Sequence, residues 1–394
     1  MKKFENNLLL EIKHKNKQLE SKIDYRFKIV YFIAMLSVIS SHCNGKGSIE
    51  LNIQGWMNYR SFHMPLFMFA AGYFFKNKNI NNTFDYISRK FKKLILRIYL
   101  YNLFYGFYLQ ILKMILKINI KPFNARNIFI EPLGGRGSRN INPSWFSSSL
   151  FFVELYNIIK RKFTKCLNIE LNESIYFIID FFLSYCSVFF SNKGYNKIQP
   201  FMDILRFIHL NIYYELGIFY KKYIEYFIKT KRNDYYFICI FTIKLLYHLY
   251  YSAEPGFYYG ISEFYKYNPL TVIIISSLGI FFWVRISEIL EPIIGKSYYV
   301  NIIADNTFSI MINHILALDV IRAIFAIISK KTKYCKNFDF KKFYSLNVSY
   351  IYLPNNVLQS GIIYYLGCLI IPIIIQKFIN KVNYTILNFK KSIN

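Results

Sequence analysis

The stretch IVYFIAMLSVISSHCN (29–44) decides how this chain is read. Its first eleven residues carry no charge and suit hydrocarbon, yet the run closes on His42. Imidazole can take up a proton near neutral pH. At the end of an apolar helix it is either an interfacial residue meeting lipid headgroups or part of a site within the membrane.

The rest of the chain extends the same pattern. Of 394 residues, 54% are hydrophobic, 20% aromatic and only 18% charged, with a mean hydropathy of +0.22. A soluble domain would carry about a quarter charged residues. The apolar residues fall in blocks of about 17–22, the length that crosses roughly 30 Å of hydrocarbon. Backbone in lipid must satisfy its own hydrogen bonds. The expected fold is therefore all-α, a polytopic integral membrane helix bundle with about ten transmembrane helices. The candidate spans are 28–43, 58–75, 94–116, 144–159, 173–190, 202–220, 235–251, 270–289, 298–328 and 360–379. The ninth is long enough to be tilted or broken.

The formal net charge of +28 invites a nucleic-acid reading, but the basic residues cluster between the apolar blocks. Loop placement and anionic headgroups account for them, and no nucleic-acid partner is expected. With the N-terminus inside, the inner segments hold 30 Lys and Arg residues against 17 in the outer loops. This predicts two cytoplasmic termini. Residues 1–27 form a basic cytoplasmic segment, 28–380 the membrane domain and 381–394 a short cytoplasmic tail. No small-residue cleavage site follows the first apolar run, so that helix is expected to stay in the membrane. The six cysteines (43, 166, 186, 239, 335 and 368) show no CxxC spacing, and neither a structural metal site nor a disulfide framework is expected. No phosphate-binding glycine loop, HExxH pair or GxSxG elbow occurs. Any chemistry must come from residues spread over several helices.

An ionisable group inside a span costs at least about 2.5–3.5 kcal/mol, which makes each one a functional candidate. His42 lies about 24 Å along its helix from Arg26. In the second span, Pro65 and Gly72 are expected to interrupt the helix, and Ala70, Ala71 and Gly72 allow another helix to approach closely. The third span opens on SRKFKKLILR (88–97), in which Arg89, Lys90, Lys92, Lys93 and Arg97 either anchor the helix or capture a phosphorylated ligand. The ninth contains ADNTFSIMINHIL (304–316), where Asn306, Thr307 and His314 share one helical face. That stripe serves either hydrogen bonding between helices or a cavity. Arg206 and His209 are one turn apart in the sixth span, with Glu215 near its inner end. The outer loops 117–143 and 329–359 either face a polar substrate or are solvated connections.

Six stretches in order carry a resemblance: FIAMLSVISSHCN (32–44), SFHMPLFMFAAGYFFKN (61–77), FDYISRKFKKLILRIYLYN (84–102), PSWFSSSLFFVELY (143–156), YYELGIFYKKYIE (213–225) and ADNTFSIMINHIL (304–316). They resemble the markers of membrane acyltransferase family 3, over residues 24 to about 380. The resemblance implies about ten transmembrane helices and transfer of an acyl group, usually acetyl, from cytoplasmic acyl-CoA. The acceptor would be a hydroxyl of a sugar or other cell-envelope molecule at the outer side. It places the family's essential histidine on His42, expected as general base or transient acyl carrier. Arg26, Lys28, Arg89, Lys90, Lys93 and Arg97 are expected to hold the CoA phosphates. Trp145, Asn306, Thr307 and His314 are expected at the acceptor, and Asn306, Thr307 or a cation of the third helix would stabilise the oxyanion. No metal is expected, and the expected location is a bacterial inner or plasma membrane.

The chain departs from the family pattern at three places. Tyr31 stands where a basic residue usually precedes the histidine by eleven positions, Ile98-Tyr99 replaces Pro-Tyr, and Ala71-Gly72 replaces Ser-Gly. Two other readings use the same ten helices. A transporter or flippase of lipid-linked sugars would favour inverted repeats, which the sequence does not show. An inactive acyltransferase-like scaffold would have no need of His42.

Overall fold

Each of the ten apolar runs forms a helix, because a long uncharged segment keeps its backbone hydrogen bonds within itself. The computed structural model describes residues 23–43, 57–76, 78–116, 124–251, 256–264, 267–332, 334–346 and 350–393. Most of the basic N-terminal segment, 1–22, and parts of both long connections, 117–143 and 329–359, lie outside the described residues. The long helices are α1 (Tyr25–His42), α2 (Tyr59–Tyr73), α3 (Arg97–Leu116), α4 (Trp145–Cys166) and α5 (Glu173–Asn192). They continue with α6 (Phe201–Phe219), α7 (Asn233–Tyr251), α8 (Pro269–Ile294), α9 (Thr307–Lys331) and α10 (Ile362–Ile393). No β-strand occurs among the described residues.

Among the described residues, four helical segments are long and apolar enough to cross a membrane: α5, α8, α9 and the stretch Leu358–Ile386 that includes most of α10. Their mean hydropathies lie between 1.6 and 2.0. The chain is thus an all-α protein with membrane-spanning character. α10 continues through residue 381 to Ile393 without a break.

The centre of the bundle is α2, whose residues are buried on nearly every side. It packs against α1, α6 and α8. A helix buried all round needs no polar face, which is why Ser61 and His63 are its only strongly polar side chains under full burial. The α2–α6 crossing rests on two glycines facing opposite backbones. A Cβ on Gly72 would stand 1.9 Å from the Tyr214 carbonyl oxygen, and one on Gly217 would stand 2.1 Å from that of Phe69. The close approach expected at Ala70–Gly72 is made here, and Gly217 completes it from the other helix.

The ninth run is broken. Helix Tyr298–Asp305 ends at Asn306, whose backbone leaves the helical region at φ −107° and ψ 17°. The Asn306 side-chain amide donates back to the Ile302 carbonyl at 2.7 Å, and a new helix begins at Thr307. Just before α3, Thr83–Lys90 passes into a π-helical stretch, Phe91–Leu96. Wide turns of this kind occur preferentially at functional sites.

Polar contacts lock the two ends of the bundle. At one end Arg26 meets three carboxylates: Asp24 at 2.6 Å, Glu225 at 2.9 Å and Glu288 at 3.0 Å. It also donates to the Tyr73 hydroxyl, so α1, α2, α8 and the connection after α6 share one hub. On α4, Arg161 and Lys160 both bind the fully buried Glu215 of α6, at 2.7 and 2.9 Å. Lys160 reaches Asp180 of α5 as well. At the other end, the connection between α3 and α4 folds inward instead of forming a solvated link. Buried Asn102 of α3 accepts from the Ser138 amide and donates to the Asn127 carbonyl. Arg139 grips Asp319 of α9 through two hydrogen bonds of 2.6 and 2.8 Å.

Candidate functional site

The break at Asn306, the π-helical stretch and α4 enclose a cavity of about 490 Å³. α1 contributes Tyr31 and Met35, α2 contributes Phe67 and Ala71, and α4 contributes Phe146 and Glu154. Asp305, Thr307, Phe308 and Met311 border it from the broken ninth helix. Its charged wall is Lys90, Lys93 and Arg97, which follow one another at spacings of three and four and so share one helical face. The basic cluster found in the sequence therefore has a definite target for three of its members.

These cations are unequally neutralised. Lys90 donates to Glu154 Oε1 at 2.5 Å, and Glu154 Oε2 is buried without a hydrogen-bond partner among the described residues. Lys28 pairs with Asp305. Lys93 and Arg97 have no carboxylate partner among the described residues. Arg97 rests its guanidinium 5.6 Å from the centre of the Phe308 ring. Burial lowers the pKa of Lys93, and the positive charges of Lys90 and Arg97 lower it further. An anion entering the cavity would relieve that repulsion, and phosphate groups match clustered Lys and Arg.

Beyond the cavity lie two histidines. The His42 and His314 rings are 4.4 Å apart, centroid to centroid, with planes inclined by 51°. His314 is fully buried, and its Nδ1 lies 3.1 Å from the Ile310 carbonyl oxygen. A carbonyl can only accept, so Nδ1 carries the hydrogen and Nε2 presents a lone pair. That Nε2 is buried with no partner among the described residues. His42 stands seven residues beyond Met35, about 10 Å along α1, while His314 is one turn beyond Met311. Tyr31, Met35 and His42 follow one face of α1, as Thr307, Met311 and His314 follow one face of α9. The two faces that wall the cavity thus run on to the histidine pair.

The other expected site residues are placed elsewhere. Arg26 is held in its carboxylate hub away from the cavity, and Arg89 is exposed without bordering it. Asn306 makes the break that presents Thr307 and Asp305. Trp145 opens α4 at the far end, with Arg206 stacked 4.9 Å over its ring. It is the next residue, Phe146, that reaches the cavity and packs on Phe67. Arg206 and His209 do not share a cavity. Arg206 borders a second one of about 350 Å³ with Arg136 and Asp203, whereas His209 is bonded to Ser184 at 2.8 Å and stacked on Tyr259. Tyr31, at the position where the resemblance expects a cation, faces the cavity and stacks on Phe67.

Two ionisable residues of the cavity wall escaped the sequence reading: Glu154 and Tyr86, which borders the cavity from the helix before the π-helical stretch. Glu154 was findable, since a carboxylate within SLFFVELYNII (149–159) meets the same test of burial cost that singled out His42. Tyr86 lies outside any apolar run and carries no such signal.

Comparisons with protein-family models, with curated proteins and with solved structures give no match to this chain.

Proposed function

We propose that this chain is a membrane-bound acyltransferase that takes an acyl group, acetyl by default, from cytoplasmic acyl-CoA to a hydroxyl of a cell-surface polysaccharide or other envelope sugar. In this reading all ten helices cross the membrane and both termini are cytoplasmic. The observation that carries the proposal is the alignment of a cation-walled cavity with the His42–His314 pair along the same faces of α1 and α9.

The phosphates of the donor meet Lys93 and Arg97, and its thioester arm points along the cavity toward the histidines. An alcohol is a poor nucleophile at neutral pH, so a base must stand within hydrogen-bond reach. His42 takes the hydroxyl proton as the oxygen attacks the thioester carbonyl. The tetrahedral oxyanion collapses, the carbon–sulfur bond breaks, and the proton leaves with the CoA thiolate. His314 fixes the ring of His42 and lines the acceptor side. Donors for the oxyanion come from Thr307 or Arg97, both on the cavity wall.

The test is acyl transfer from radiolabelled acetyl-CoA in membranes holding the wild-type chain or His42→Ala at equal expression. The host should make candidate surface glycans. Label in glycan with wild type, lost with the variant, supports the proposal. Equal label from both removes His42 from the chemistry. Absence of label from either, also with succinyl-CoA, favours a transporter of lipid-linked sugars.

A further inference from the structure

A groove of about 840 Å³ runs between α3, α9 and α10 on the outside of the bundle. It is graded from end to end. At one end stand Arg97, Asn380 and Asn383, and toward the other the walls are Leu100, Phe104 and Ile374, all exposed. The grading is carried by α3 and α10, while α9 forms the floor with Phe308, Asn313 and Leu316. α3 goes from Arg97 to Phe104, and α10 in the opposite chain direction from Asn383 to Ile374. These intervals of seven to nine residues correspond to about 10–14 Å of helix. A cation and two amides at one end of a channel whose remaining walls are mostly hydrocarbon, with Asn313 and Gln376 the amides along it, match a single amphiphile, with a phosphate at the polar end and an acyl chain along the rest.

We propose that this groove binds an anionic phospholipid of the inner leaflet. The lipid phosphate meets Arg97, which has no carboxylate partner among the described residues. The Asn380 and Asn383 side chains hydrogen-bond to the headgroup, and one acyl chain follows Leu100, Phe104 and Ile374. Charge complementarity selects the occupant: a zwitterionic lipid fills the apolar part equally well but brings a second, positive charge near Arg97. Arg97 and Phe308 also border the inner cavity, so the lipid phosphate and any anion in that cavity compete for one guanidinium. The proposal does not depend on acyl transfer and is tested by binding alone.

The full-length chain, purified in neutral detergent, is mixed with phosphatidylglycerol or phosphatidylcholine at equal concentration, and retained lipid is counted by native mass spectrometry. Phosphatidylglycerol is expected to be retained about five-fold better, the discrimination one surface cation provides toward an anionic headgroup. Arg97→Gln brings the two lipids to parity, and Arg97→Lys keeps the preference. Ile374→Trp, a change on an exposed wall that α10 tolerates, lowers retention of both. Equal retention by wild type, or a preference that survives Arg97→Gln, overturns the proposal. So does displacement of the lipid by glycerol 3-phosphate together with no effect of Ile374→Trp, which would mark a site for free phosphate.

Discussion

His42, the last residue of α1, and His314, in the first third of α9, stand ring to ring at 4.4 Å although 272 positions separate them in the sequence. The Nδ1–H of His314 is committed to the Ile310 carbonyl, so its free lone pair is on Nε2. Replacing His314 by Gln keeps a polar side chain but removes the ring against His42. The expected outcome is a fall in acyl transfer of about 10²-fold, toward the lower end of what a general base contributes. His42→Ala should cost more. Initial rates from labelled acetyl-CoA, at matched protein level, check the order.

Lys93 faces the cavity beside Lys90 and Arg97 without a carboxylate of its own. If it meets a donor phosphate, Lys93→Gln removes a charged hydrogen bond of about 1.5–3 kcal/mol. The KM for acyl-CoA should rise by about 10- to 100-fold, with kcat nearly unchanged. A fall in kcat at constant KM would instead place Lys93 at the reacting carbonyl.

Gly72 and Gly217 face each other's helix backbones at distances no Cβ can occupy. In an exposed helix, Gly→Ala gains about 1 kcal/mol. Here the methyl must push α2 and α6 apart, and overpacking of a tight contact costs about 1–3 kcal/mol. Gly72→Ala and Gly217→Ala should each lower the thermal midpoint of the detergent-purified protein. A rise in either would mean that the crossing is looser than 2 Å contacts require.

The Arg26 hub makes stability depend on acid. Burial raises the pKa of Glu225, but hydrogen bonds from Lys229, Arg26 and Tyr73 outweigh it and leave the carboxyl below its usual range. A lowered folded pKa means that the unfolded chain binds the proton more readily. The stabilisation is therefore present above the unfolded value of about 4.3 and is lost as pH falls through the folded value. Melting temperatures should hold from neutrality to about pH 5 and drop below it. Glu225→Gln should flatten part of that drop while lowering stability at pH 7 by about 1–3 kcal/mol.

Cys166 closes α4 and is exposed. With ten spans and a cytoplasmic N-terminus, that end of α4 faces the cytoplasm. In a chain whose other exposed cysteines, Cys186 and Cys239, are replaced by Ser, a membrane-impermeant thiol reagent should label Cys166 in inverted vesicles, with the signal lost in Cys166→Ser. Labelling of Cys166 in right-side-out vesicles would reverse the orientation or change the number of spans.

Much of the architecture is legible in the sequence. All ten apolar runs are helices, the ninth breaks as its length allowed, and the approach at Gly72 is real. The site was only partly legible. Lys90, Lys93, Arg97 and Thr307 reach one cavity, whereas Arg26, which the resemblance placed beside the CoA phosphates, is paired with Asp24, Glu225 and Glu288. Trp145 is under Arg206, one residue away from the side chain that lines the cavity.

The division has a physical cause. Whether a segment is helical and apolar depends on the segment itself, since its hydrogen bonds close within four residues and its hydropathy is a sum over its own side chains. The sequence alone therefore determined the helices, the basic clusters between them and the short list of costly buried groups. Which of those groups meet depends on the rotation and separation of helices distant in the chain. Lys90 finds Glu154 across 64 positions, and Arg139 finds Asp319 across 180. Only the packing of α1, α4 and α9 with the π-helical stretch, set by contacts as close as Gly72 on Tyr214, decided that three cations and two histidines lie along one path.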